Sequence, residues 1–281
     1  MEKYTNCSFG GERPLFASHG VILDHVTFTA GESALKCCTD VHAEGCVFQG
    51  KYPLWHTHRF SVDNCVFEAG ARAALWYSSG CRMTKTLVEA PKMFREMQDI
   101  KLNDVRIPDA QETLWHCTDV ELDDVSVENA DYLFMHSANI RIRNYRQHGN
   151  YSFQYCRDVT IADADIHSKD AFWGTENVTV RNSTLLGEYL GWHSHNLTLI
   201  GCHIGGTQPL CYCRHLRLVD CTFDADADLA FEDSDVVAEI RGAMTSIKNP
   251  RTGRITLDGL GEYIHNGDCL EPDDAVIEIR K

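Results

Sequence analysis

The chain has 281 residues, with 41 acidic and 26 basic side chains, and carries a net charge of −15 at pH 7. At 43% hydrophobic and 24% charged it falls in the globular range, which excludes a disordered or collagen-like chain. No apolar run approaches the ~18 residues of a membrane-spanning helix, and the acidic balance argues against nucleic acid as a partner held through net charge.

From Met1 to Val21 there is no secretory apolar segment, so the expected location is the cytoplasm. Thirteen cysteines are present without a CxxC pair, which supports neither a zinc ribbon nor a thioredoxin-type motif. They read as reduced thiols used as small core residues.

A repeat then runs through the chain. One eight-residue phrase recurs as Val41-His-Ala-Glu-Gly-Cys-Val-Phe48, Phe60-Ser-Val-Asp-Asn-Cys-Val-Phe67, Leu197-Thr-Leu-Ile-Gly-Cys-His-Ile204 and Leu216-Arg-Leu-Val-Asp-Cys-Thr-Phe223. Weaker copies start at Glu2, Val21, Cys81, Ile100, Val120, Ile140, Val159 and Val178, and drifting ones at Val236 and Ile255, so that successive starts lie 19 to 21 residues apart. The first and third positions are apolar, the alternation of a strand. The fifth is often Asn, Asp or Gly, as at Asn64, Asp104, Asp124 and Asn182, where the chain bends. The sixth and eighth point inward again and include Cys46, Cys65, Cys202 and Cys221 beside Phe48, Phe67 and Phe223.

A second phrase precedes each start, as in Pro53-Leu-Trp-His-Thr-His58, Thr113-Leu-Trp-His-Cys-Thr118 and Leu190-Gly-Trp-His-Ser-His195. Together they predict three short strands per coil, the period of an all-β, right-handed parallel β-helix whose coils stack at ~4.8 Å. One domain over 1–281 is expected, with repeats to about 245 and an irregular C-terminal cap over about 246–281. Ser246 to Arg254 reads as a turn-rich loop.

The Asp/Asn-Cys-x-Phe phrase, the Pro-Leu-Trp phrase and the terminal Ser246-Ile-Lys-Asn-Pro-Arg…Gly261-Glu-Tyr-Ile264 segment resemble an uncharacterised bacterial family. That family is described as pectin-lyase-like right-handed β-helix proteins, and the resemblance covers the whole chain. It implies the fold and no reaction, so no catalytic residue is carried over.

In a β-helix, equivalent positions align in columns. Trp55, Trp76, Trp115, Trp173 and Trp192 form one, interrupted by Arg95, Met135 and Gln154. If the preceding Leu/Phe column points in, the indoles point out and could stack on sugar rings; the reverse would make them core. The next column reads Cys37, His56, Tyr77, Glu96, His116, His136, Tyr155, Gly174, His193, Tyr212, Glu232. Its run Tyr77, Glu96, His116, His136 and Tyr155 sets a carboxylate beside two imidazoles and two phenols, the residue types of general acid–base work. Arg95, with Lys92 just before it, could hold a substrate anion. The structural alternative is a hydrogen-bonded polar ladder.

His193 and His195 with Glu176 on the neighbouring coil form a two-His-one-carboxylate set that could hold a divalent metal, though no cofactor is otherwise implied. P-loop, GxGxxG, HExxH and GxSxG motifs are absent. On analogy of fold class, the leading expectation is a carbohydrate-directed lyase or hydrolase. The alternative is a non-catalytic carbohydrate-binding or scaffold protein using the aromatic–His face. An enzyme requires Glu96 and the histidines to converge; a binding module requires only an exposed ladder.

Overall fold

A computed structural model describes residues 2–267 and 274–281, so residues 268–273 of the expected cap lie outside the described residues. Two compact units are present, Met1–Arg146 and Gln147–Lys281. Among the described residues the one helical turn is Ala69–Ala71, and the remaining regular structure is strand.

In the first unit, strands Glu2–Thr5, His19–Asp24, Thr39–Glu44, His58–Asp63, Ser79–Val88, Gln98–Ile107 and Thr118–Val127 pair in parallel, each with the next. A shorter series, Ser8–Glu12, Thr27–Glu32, Val47–Phe48 and Val66–Phe67, runs beside it and joins the second half of Ser79–Val88. The partners Glu2↔Val21, Val21↔Val41, Val41↔Phe60, Phe60↔Cys81, Cys81↔Ile100 and Ile100↔Val120 are the repeat starts read from the sequence.

The second unit has the same arrangement, with Arg157–His167, Glu176–Arg181, His195–Ile200, Leu216–Phe223, Asp235–Ile240, Thr252–Leu257 and Val276–Ile279. Each unit is a parallel β-solenoid.

Two expectations are corrected. The segment read as an irregular cap carries regular strands: Ala243–Lys248 pairs with Gly259–Ile264, and Thr252–Leu257 pairs on both sides. Here Val236 aligns with Gly253, not with Ile255, so this coil is two residues shorter than the repeat suggests. A glycine is required at 253, where φ is +112° and a Cβ would lie 1.9 Å from the Val236 carbonyl oxygen.

The second correction concerns the third side of each coil, which is a run of turns instead of a strand. Alternate residues there take positive φ: Lys92, Phe94 and Glu96 at 61°, 54° and 53°, then Glu112, Leu114 and His116 at 48°, 60° and 53°. Such angles are unfavourable for branched and bulky side chains. Inter-coil hydrogen bonds hold them, with Lys92 N–H donating to Gln111 O at 2.9 Å, Glu96 N–H to Trp115 O at 2.9 Å, and Phe94 N–H to Ala74 O at 3.4 Å. Donors thus alternate between the following and the preceding coil, and the backbone stays satisfied without a strand.

The interior is a set of columns. Phe9, Phe28, Phe48 and Phe67 stack at centroid distances of 5.7, 5.2 and 4.6 Å. The Leu/Phe column of the turn side, including Leu54, Leu75, Phe94, Leu114 and Phe172, is buried. Three residues on, Thr57, Ser78, Cys117, Ser137, Ser194 and Cys213 are buried donors to the carbonyl of that column one coil back, as in Ser78 Oγ to Leu54 O at 2.7 Å and Cys117 Sγ to Phe94 O at 3.2 Å. Thiols and hydroxyls are interchangeable at this position because both donate to the same oxygen. Burial raises the Cys38 thiol to about 11 and Cys117 and Cys213 to about 12, so these cysteines are held protonated.

Candidate functional site

The alternation of φ on the turn side fixes which way each side chain points. Phe or Leu goes in, the next residue lies half-buried, and the one after it is exposed. The indoles therefore face outward, which resolves the open orientation of the tryptophan column, but they do not offer free faces. Trp55 and Trp76 lie 5.2 Å apart, and Trp173 and Trp192 lie 5.4 Å apart at 30°. Trp76 Nε1 donates to Lys92 O at 2.7 Å, Trp192 Nε1 to Gln208 O at 2.7 Å, and Trp115 Nε1 to Tyr132 O. Each of these indoles is pinned by its N–H to the next coil. Tyr52 and Tyr189 pack edge-on against Trp55 and Trp192, both at 5.1 Å.

Arg95 takes the tryptophan position in its coil and lies between two indoles, 4.4 Å from the Trp76 ring and 4.3 Å from the Trp115 ring. Its Nη2 is 3.3 Å from Glu112, which Lys92 also approaches at 3.0 Å. The expectation that Arg95 supplies charge to a substrate anion is therefore corrected: its planar cation is already sandwiched and ion-paired. Glu112 was not singled out from the sequence. Its position, one coil after Lys92 in the same column, is the signal that could have found it.

Outside the indoles stands the His/Tyr column. His56 stacks on Tyr77 at 5.2 Å and 20°, and His116 on His136 at 5.2 Å and 7°. Glu96 occupies the rung between Tyr77 and His116, as the bonds Tyr77 N–H to Arg95 O and Glu96 N–H to Trp115 O require. Its carboxylate is exposed and makes no hydrogen bond or ion pair with a described residue. The carboxylate–imidazole contact expected between Glu96 and His116 is not made; the histidines face each other instead. Tyr155 stands in the second unit, 49% exposed, its ring where a Cβ on Gly174 would meet it at 2.9 Å.

The second unit has a column of the same kind, in which His193 stacks on Tyr212 at 5.0 Å and 15°. The sequence reading placed Glu232 next. Tyr212 N–H donates to Glu232 O, so Glu232 occupies the tryptophan position and Asp233 the outer one, because this coil is one residue longer than the spacing assumed. Glu232 is nearly buried and pairs with Lys248 at 2.7 Å. Burial and the Glu232 charge push the Tyr212 hydroxyl up to about 12. His193 is lowered, first by desolvation beside Trp173 and Tyr212 and then by the Arg214 cation.

His193, His195 and Glu176 do not form the expected metal set. Glu176 and His195 are register partners on adjacent strands, but His193 lies in the turn with its ring against Tyr212, and His195 turns an edge to His215 at 5.1 Å. The positive φ at His193, 58°, breaks the strand alternation on which the shared face depended. Among the described residues no three His, Cys, Asp or Glu side chains are grouped to hold a metal ion.

A family model for proteins of unknown function, DUF3737, matches residues 2–278. The chain belongs to the DUF3737 family. No curated protein matches it. Among solved structures it is similar to the surface adhesin PfbA of Streptococcus pneumoniae, at 8% identity and a TM-score of 0.51, over 90% of this chain and 86% of that one. It also matches a double mutant of the periplasmic alginate epimerase AlgG at 8% identity and a TM-score of 0.33, over 93% and 77% of the respective chains. At these identities the likeness to the adhesin establishes the parallel β-helix fold and nothing about ligands.

Proposed function

We propose that this DUF3737 protein is a non-catalytic carbohydrate-binding module that uses the outer His/Tyr ladder of its turn side. One observation carries the reading: the ionisable groups of the ladder stack on one another and do not converge. His116 faces His136, His56 faces Tyr77, and Glu96 touches neither imidazole. General acid–base chemistry needs a proton donor and acceptor aimed at one point. A binding surface needs only repeated polar edges, and here imidazole nitrogens and phenolic oxygens recur at the coil spacing of ~4.8 Å, close to the length of one sugar unit in an extended glycan. The indoles behind them are structural, stacked in pairs and, at Trp76, Trp115 and Trp192, pinned by their N–H groups.

The enzymatic reading, a lyase or hydrolase, requires Glu96 to work with His116, and the observed stacking gives it no support. A cytoplasmic location is part of the proposal, since cysteines that serve as unbridged core donors among the described residues need no oxidising compartment.

Affinity electrophoresis of the full chain through gels containing neutral, anionic and amine-bearing polysaccharides tests the proposal, with product analysis by mass spectrometry. Retardation by at least one glycan is expected, weakened roughly fivefold in the Tyr77→Ala/His116→Ala variant, with no cleavage product. Release of a shortened or unsaturated oligosaccharide, or migration unaffected by every glycan, would refute it.

A further inference from the structure

The ladder of the first unit contains one rung that differs in kind from its neighbours, and the difference defines a ligand. From His56 to Tyr77 and from His116 to His136 the column is made of rings whose planes lie nearly parallel, 5.2 Å apart. At the rung between Tyr77 and His116 the side chain is Glu96, narrower than a ring. Tyr77 and His116 are two coils apart, about 10 Å at the stacking distance, so each presents one ring face toward the Glu96 rung. The other faces are covered by His56 and His136.

We infer that this notch binds an ammonium group, and that the carbohydrate recognised by the ladder is therefore one bearing free amines, an amino-sugar glycan. This deepens the carbohydrate-binding reading above and rests on it. A cation at the Glu96 rung stands about 5 Å from the Tyr77 ring, inside the ~6 Å range over which a phenol face attracts a cation, with the His116 ring bounding the notch on its other side. It meets there a carboxylate with no partner among the described residues. The local cations do not compete for that carboxylate: Lys92 and Arg95 are both held by Glu112, and Arg95 is enclosed between Trp76 and Trp115. Tyr77, 41% exposed, leaves its hydroxyl free to meet the sugar hydroxyls that flank the amine. The net charge of −15 adds long-range attraction for a polycation, while ligands with uronate or sulfate groups would meet an unpaired anion.

The experiment compares a β-1,4-linked glucosamine hexamer with its fully N-acetylated, uncharged counterpart, by calorimetric titration at one fixed, near-physiological salt concentration and about pH 6, where the sugar amines are protonated and an exposed carboxylate is ionised. Wild type, Glu96→Gln and Glu89→Gln are used, with near-ultraviolet circular dichroism to verify folding. Glu89 is an exposed carboxylate of the same unit outside the ladder, so its variant carries the same change in net charge.

The expected result is tighter binding of the amine hexamer by wild type, a loss of roughly fivefold in Glu96→Gln, and no change in Glu89→Gln or for the acetylated hexamer. Equal losses in the two variants would reduce the effect to net charge and overturn the inference. Equal binding of the two hexamers by wild type would overturn the ammonium notch while leaving the carbohydrate-binding reading in place. Absence of binding to both hexamers would overturn the inference, and together with absence of binding to every polysaccharide above would overturn both readings.

Discussion

Replacing Phe48 with alanine tests the stacked core most directly. Phe48 is fully buried and is covered on both faces, by Phe28 at 5.2 Å and 6° and by Phe67 at 4.6 Å and 14°. A buried Phe→Ala change costs about 3–5 kcal/mol through lost transfer and the cavity left behind. Two stacked ring pairs, each worth about 0.5–1.5 kcal/mol beyond their area, place Phe48 at the upper end, near 4–5 kcal/mol. Phe48→Leu keeps most of the apolar volume and loses the ring contacts, so about 1–2 kcal/mol is expected. Phe16, 47% exposed, serves as the control, and its change to alanine should stay within about 0.5 kcal/mol. Urea unfolding followed by near- and far-ultraviolet circular dichroism reads the global loss. Because a solenoid is stabilised by nearest-neighbour stacking, amide exchange at Val47 and Val66, in the coil of the cavity and in the next one, should accelerate first. A loss below about 1 kcal/mol in Phe48→Ala would mean that the ring column does not hold the coils together.

Three further outcomes follow from the geometry. Arg95→Met should cost about 1–2 kcal/mol by removing two cation–π contacts, and Arg95→Lys should restore less than half, because an ammonium cannot lie flat between indoles; full rescue by lysine in urea titrations would contradict the sandwich. Glu232→Gln removes the carboxylate that pairs with Lys248 and should cost about 2–3 kcal/mol, less than a fully buried pair because Lys248 is 22% exposed, whereas Glu232→Leu with Lys248→Met should come much closer to wild type; equal losses in both variants would exclude the pair as the cause. Asp170 is buried and its carboxyl is raised by desolvation, so the folded state holds its proton to higher pH than the unfolded chain. Its contribution to stability is thus full below the ordinary carboxylate range and is lost as pH rises through the folded value. Asp170→Asn, which tolerates the positive φ of 52° there, should then be more stable than wild type at pH 7 and show no advantage at pH 3; thermal melts at the two pH values check the sign.

The repeat, the direction of stacking and the inward columns are all legible in the order of the amino acids. Val21, Val41, Phe60 and Cys81 are partners in space because a near-constant repeat period returns each apolar strand position to the same place, and burial of that face leaves a one-residue slip no room. The same period brings Tyr77, Glu96 and His116 into one column, in agreement with the backbone bonds. What forms the third side of the coil emerges only in three dimensions. Positive φ at Phe94, Leu114 and His116 carries no residue signature, unlike Asn or Gly at a bend, because it is imposed by hydrogen bonds to neighbouring coils. That backbone choice then settles everything outside it. It turns the indoles outward yet pins their edges, separates His193 from His195, and encloses Arg95 between Trp76 and Trp115 beside a glutamate of the next coil, a pairing in which the partners belong to different columns. Which rings face each other, and that Glu96 stands alone between them, follows from side-chain planes set by those contacts, and a column of letters does not contain them.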